Sequence, residues 1–147
     1  MFIRFSNVSI ALLLSILVTA CAGTGTKNYA DLAIELAEPG SEKVYVYRSK
    51  QKIAALNLFE MKLNDMVVGD IGQGEVLSAL MVDGSNRLDI LVKSPIPGLG
   101  LKSDPIVFDR QTGSSMYFLV DIKEGFFTNE LRVFGVTKAG FEANLGD

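Results

Sequence analysis

From Lys43 onward the apolar residues recur at every second position, and this alternation limits the chain's possible folds more than any other feature. Val44 and Val46 alternate with Tyr45 and Tyr47. Phe59, Met61 and Leu63 alternate with Glu60 and Lys62. Leu88, Ile90 and Val92 share one face, as do Met116, Phe118, Val120 and Ile122, and again Leu131 and Val133. Period two is the signature of strands that bury one face. Turn signals separate the runs: Asn64-Asp65, Gly72-Gln73-Gly74, Asp83-Gly84-Ser85-Asn86, Thr112-Gly113 and Lys123-Glu124-Gly125. The pattern predicts an all-β domain over residues 43–138, an antiparallel β-sandwich of about seven or eight strands. Two close hairpins are expected, Phe59–Leu63 with Val67–Ile71 and Val76–Val82 with Arg87–Lys93. Residues 139–147 read as a C-terminal tail.

Ahead of the strands, Tyr29, Leu32, Ala33 and Leu36 follow the i, i+3, i+4, i+7 spacing of one helical stripe. This predicts a short amphipathic helix over residues 29–38, with Asn28 as its cap and Pro39-Gly40 as its stop. A helix that short is marginal alone, so the stripe should pack on the sandwich.

The N-terminus has a different character. Arg4 is the only charge before Lys27, and Val8 to Val18 is apolar except for Ser9 and Ser15. That run suits the apolar core of a secretion signal and falls short of the roughly 20 residues that span a membrane. It ends in Leu17-Val18-Thr19-Ala20-Cys21: an aliphatic residue, small residues, then cysteine. This is the form of a lipobox. It predicts cleavage of residues 1–20 as a signal-peptide helix outside the fold, with lipid on Cys21. The competing readings are a buried core helix with an ordinary buried cysteine, and a plain signal cut near Ala20 without lipid. Residues 21–28 read as lipidated cysteine and flexible tether, because Ala22-Gly23-Thr24-Gly25-Thr26 is small and polar. Such a tether reaches about 20 Å when extended. Ala22, where aspartate would favour inner-membrane retention, points to an outer-membrane address facing the periplasm.

Composition then narrows the chemistry. Without residues 1–20 the chain keeps 127 of its 147 residues, enough for one core, and losing Arg4 from 14 cations leaves 13 against 17 acids, or −4. That balance does not suit nucleic acid. Cys21 is the only cysteine, so no internal disulfide is possible. Histidine is absent, which removes the commonest general base and the commonest transition-metal ligand. No cofactor or metal is expected. The acids Asp83, Asp89, Asp104, Asp109, Asp121 and Glu124 are scattered and lack calcium-loop spacing. Gly113-Ser114-Ser115-Met116 lacks the form of a serine-nucleophile turn, and there is no histidine to activate a serine.

The order of segments resembles a bacterial family, domain of unknown function number 2846. The resemblance is carried by Lys43-Val-Tyr-Val-Tyr-Arg48, Leu63-Asn-Asp-Met-Val-Val-Gly-Asp-Ile71, Val82-Asp-Gly-Ser-Asn-Arg-Leu88, Met116-Tyr-Phe-Leu-Val120 and Gly125-Phe-Phe127. It covers roughly residues 43–138. Asn64-Asp65 replaces the usual Asn-Gly, and Asp83–Asn86 replaces a proline-glycine-x-histidine turn, so the family's histidine is missing. The resemblance implies a small β-sandwich and a lipoprotein setting, and no activity.

Two sets of residues suggest binding. Tyr45, Tyr47 and Arg48 form either an aromatic, cationic ligand surface or, as the simpler expectation, a tyrosine-covered sheet face with a solvated strand end. Ile96, Leu99 and Leu101 lie in the Pro/Gly-rich stretch 93–105, and Phe126-Phe127 in a turn. They either fold back to cap the sandwich or form an exposed patch that meets a protein or a membrane. The expectation from sequence is a lipid-anchored envelope protein with a non-catalytic sandwich, acting by contact with a protein partner. The alternative is a module binding a small ligand or cell-wall glycan.

Overall fold

The computed structural model describes residues 23–93, 100–125 and 128–145. Their order is α1 (Tyr29–Ala37), β1 (Lys43–Arg48), β2 (Phe59–Leu63), β3 (Met66–Ile71), β4 (Val76–Leu80), β5 (Ser85–Val92), β6 (Ile106–Asp109), β7 (Met116–Lys123), β8 (Glu130–Val136) and α2 (Lys138–Asn144). The strands form two four-stranded sheets, β4-β1-β7-β8 and β3-β2-β5-β6. Every pairing is antiparallel except β1 with β7. The expected β-sandwich is therefore what the chain forms.

The alternation places the core. Val44, Val46, Phe59, Met61, Ile71, Leu88, Ile90, Phe118 and Val120 meet between the sheets. On the far side of the first sheet Tyr45, Tyr47 and Leu119 form a second core with Leu32, Leu36 and Phe141 of the two helices. The molecule is thus three layers deep: helices, sheet, sheet. The outer face of the second sheet carries ion pairs instead, with Lys93 between Asp70 and Glu60 and Asp89 between Arg87 and Lys102.

Local chemistry explains the element ends. The Asn28 side chain accepts from the Asp31 amide and caps α1. Leu32 and Leu36 are buried beneath it, while Ala33 of the expected stripe faces solvent. Asn64 and Asp65 both have positive φ, 53° and 64°, the conformation a two-residue hairpin turn requires. The β2–β3 hairpin closes as expected.

The second expected hairpin does not exist. β4 pairs with β1, whereas β5 pairs with β2 and β6, so residues 81–84 carry the chain from one sheet to the other. Met81 is buried at this corner. Asn86, also buried, accepts from the Val82 amide at 3.0 Å and donates to the carbonyls of Val82 (3.0 Å) and Gly84 (3.1 Å). Its side chain replaces the ladder bonds that the corner interrupts.

The C-terminal tail is likewise corrected. Thr137 caps α2 by accepting from Gly140, and Phe141 is fully buried, 5.3 Å from the Tyr117 ring and 6.3 Å from those of Tyr45 and Tyr47. Part of the Pro/Gly-rich stretch also pairs: Val92 donates to the Leu101 carbonyl and Ser103 to that of Ile90, extending the approach to β6.

Replacing Asn86 with alanine removes the three bonds that its buried side chain makes across the corner. Urea unfolding should show a loss of about 2–3 kcal/mol. Asn86→Asp should recover little, because it cannot donate to the Val82 carbonyl.

Candidate functional site

β3 and β4 are the edge strands of their respective sheets and lie on the same side of the sandwich. Residues 23–27 cross between them. The Thr24 amide donates to the Asp70 carbonyl at 2.7 Å, and the Asp70 amide donates back to Thr24 Oγ1 at 2.9 Å. Thr26 and Val76 exchange amide-to-carbonyl bonds of 2.8 and 2.9 Å. Thr24 is thus paired with one sheet and Thr26 with the other, so the segment laces the two edges together.

Glycines permit this close approach. A Cβ on Gly23 would stand 2.0 Å from Glu75 Oε2 and 2.4 Å from the Gly72 nitrogen. One on Gly69 would stand 2.2 Å from Thr24 Oγ1. The buried Glu75 carboxylate accepts from the Gly72 amide at 2.7 Å and pairs with Lys27 at 3.6 Å. The flexible tether read from composition is therefore corrected. From Gly23 on, the segment is bound to the sandwich, because its small residues fit where larger ones cannot.

Farther along the same two strands the gap is open. Its walls are Met66, Val67 and Val68 on one side and Ala79, Leu80 and Val82 on the other, around a cleft of about 530 Å³. Met66 is 73% exposed, Leu80 68%, Val67 59% and Val82 53%. That is a contiguous aliphatic surface on two edge strands, a combination proteins normally cover or interrupt. Asp65 and Asp83, next in sequence to Met66 and Val82, are exposed and pair with Arg87 and Arg110. The opposite side of the sandwich, between β6 and β8, holds a cleft of about 440 Å³, but Asp104, Glu130 and Arg132 line it.

The residues singled out from sequence are placed differently. Cys21, Ile96, Leu99, Phe126 and Phe127 lie outside the described residues. Leu101 is half-buried and packs against the main core, so it does not belong to an exposed patch. Tyr45 and Tyr47 are buried under α1 and α2, with Tyr45 stacked on Tyr117 at 5.5 Å. Burial, helped by the Glu35 carboxylate, pushes the Tyr45 hydroxyl up to about 12. Neither tyrosine lines a groove. Arg48 is neither a ligand group nor solvated. It is 3% exposed, lies 3.8 Å over the Phe59 ring and donates to the carbonyls of Ala54, Asn57 and Ile71. Burial pulls it down to about 10, opposed by the Glu75 charge, so it stays protonated at neutral pH.

Among the scattered acids, Asp83 pairs with Arg110, Asp89 with Arg87, and Asp121 with Arg132. Among the described residues no three carboxylates or other metal-binding side chains gather. The β3–β4 cleft is suited to binding. Sequence reasoning passed over it although a signal exists: Met66-Val67-Val68 and Leu80-Met81-Val82 are apolar at consecutive positions, where a half-buried strand should alternate. Comparison with protein-family models, with curated proteins and with solved structures finds no match.

Two outcomes test this geometry. Gly69→Val should displace Thr24 and release the lacing segment, lowering hydrogen-exchange protection at Thr26 and Val76 while the sheets persist. Arg48→Met removes the guanidinium bonds to three carbonyls, of which that of Ala54 keeps the Asn57 amide, and should cost about 2–4 kcal/mol in urea unfolding.

Proposed function

We propose that this chain is a lipid-anchored envelope protein whose sandwich acts by protein contact, with the β3–β4 cleft as the contact face. The observation that carries the contact reading is the exposed aliphatic surface on two adjacent edge strands. The partner segment is extended and apolar. The molecule itself supplies the precedent, since residues 23–27 already lie as an extended segment across the same two edges. Addition of a strand to a free sheet edge is a general mode of peptide recognition, with backbone bonds giving affinity and side-chain pockets giving selectivity.

The lipid-anchor part of the proposal rests on the lipobox at Cys21, with Ala22 favouring the outer membrane. The docked segment gives the anchor mechanical meaning, because only Cys21, Ala22 and Gly23 stand between the lipid and Thr24, the first residue hydrogen-bonded to the sandwich. A glycan ligand is disfavoured: among the described residues the walls of this cleft carry no aromatic ring to stack on a sugar, and the tyrosines that suggested one are buried. A small alkyl ligand fits the lining better and is the second reading.

Cys21→Ser should abolish incorporation of an alkyne-bearing fatty acid and move the protein from the membrane to the soluble fraction. Unchanged labelling would overturn the anchor. For the contact face, a photo-crosslinking residue at Met66 or Leu80 should capture a defined protein in cells, and one at Val107, equally exposed on β6, should not. Leu80→Asp should reduce capture at Met66 several-fold without lowering stability. Equal capture at all three positions would overturn the assignment.

A further inference from the structure

The end of the sandwich at which the N-terminal segment docks has its own character. It is built from the β1–β2 loop, residues 49–58, together with the β3–β4 turn at residues 72–75. The loop is held from several sides. Buried Arg48 donates to the carbonyls of Ala54 and Asn57 from below. Ser49 donates to Val120, and Gln51 both accepts from and donates to the Ile122 backbone. Lys93 donates to the Leu58 carbonyl, and the Asn57 side chain donates to that of Lys93. A loop so fixed would normally turn its apolar side chains inward, yet Leu56 is 89% exposed, the most exposed of the large apolar side chains described.

The exposed charges of this loop are of one sign, and the acid that also lines the hollow beside Leu56, Glu75, is buried. Residues 49–58 contain Lys50 and Lys52, both exposed, and no acid. Lys50 lies against the β3–β4 turn, 3.1 Å from where a Cβ on Gly74 would be. Lys27, its side chain 63% exposed, rims the same shallow hollow as Leu56 and Gly72. Glu75 is buried beneath Lys27, and Glu124 and Glu130 stand exposed on the β7–β8 side. At the other end of the sandwich the exposed charges include Asp65, Asp83 and Asp109, with Glu42 and Asp83 held by Arg110.

Resting on the lipid-anchor reading above, we propose that this end is a membrane-contacting surface. Leu56 enters the boundary between headgroups and acyl chains, and Lys27, Lys50 and Lys52 meet anionic headgroups. Cys21 precedes Gly23 by two residues, a span of at most about 7 Å, and Gly23 abuts Gly72 at this end. The lipid therefore enters the bilayer beside Leu56. An apolar side chain flanked by lysines is the arrangement that binds such an interface. The domain is then held in one orientation. The open part of the β3–β4 cleft, at the Met66 and Leu80 ends of its strands, points away from the bilayer.

The full lipidated chain in vesicles of phosphatidylethanolamine and phosphatidylglycerol tests this. Because lipid blocks Cys21, the only native cysteine, a cysteine introduced by Leu56→Cys or Val82→Cys offers a single free thiol for an environment-sensitive fluorophore. The probe at 56 should shift to the blue and be quenched by nitroxide-bearing lipid several-fold more than the probe at 82. Adding Lys50→Glu and Lys52→Glu should reduce that contrast. Equal quenching at the two positions, with lipid on Cys21 verified by mass spectrometry, would overturn the membrane surface and leave the anchor standing. Absence of lipid on Cys21 would overturn both.

Discussion

β1 is buried on both of its faces, and the arrangement of everything else follows from that burial. Val44 and Val46 point between the sheets, while Tyr45 and Tyr47 point under the helices, all at most 1% exposed. A strand covered on both sides needs neighbours on both edges, and β1 has β4 on one and β7 on the other. Its parallel pairing with β7 is possible because the intervening chain crosses to the second sheet and returns twice, by way of β4. The same strand ends in Arg48, whose guanidinium is too costly to bury unless its donors are used. Three carbonyls and an aromatic face use them, and in doing so they fix the β1–β2 loop.

With β1 and β2 interior, β3 and β4 are left at the edges on one side. An open pair of edges invites uncontrolled pairing. Here half of that opening is closed from within by residues 23–27, and the other half is lined by Met66, Val67, Leu80 and Val82. The two halves differ in chemistry for a reason. The closed half has Gly69 and Gly72, which admit a backbone, whereas the open half has branched and long aliphatic side chains, which admit apolar groups. One side of the molecule thus joins a laced end to an exposed apolar face.

Much of this was legible in the chain. Alternation identified the strands, because a sheet with one wet face writes its period into the sequence. Asn64-Asp65 identified its hairpin, because few residues tolerate two consecutive positive φ values. The capping of α1 by Asn28 was equally local. The partners of β4 and β5 were not legible, because four intervening residues suit either a hairpin or a corner between sheets, and the choice rests on Asn86 bonding across the corner. α2 was missed because a short segment containing Gly140 has little helical tendency until Phe141 is buried.

The functional residues divide in the same way. The sequence alone determined the strand-rich class, the aliphatic and small residues that lead up to Cys21, and the lack of histidine and of a second cysteine; these are properties of residue type and spacing. Only the tertiary structure decided that Tyr45 and Tyr47 are core, that Arg48 is a buried brace, and that the glycine- and threonine-rich segment is bound and not free. It also decided that Met66 and Val67 come to face Leu80 and Val82 across one cleft. The physical reason is that solvent exposure belongs to the second face of each strand, and what covers that face is settled by contacts between residues far apart in the chain.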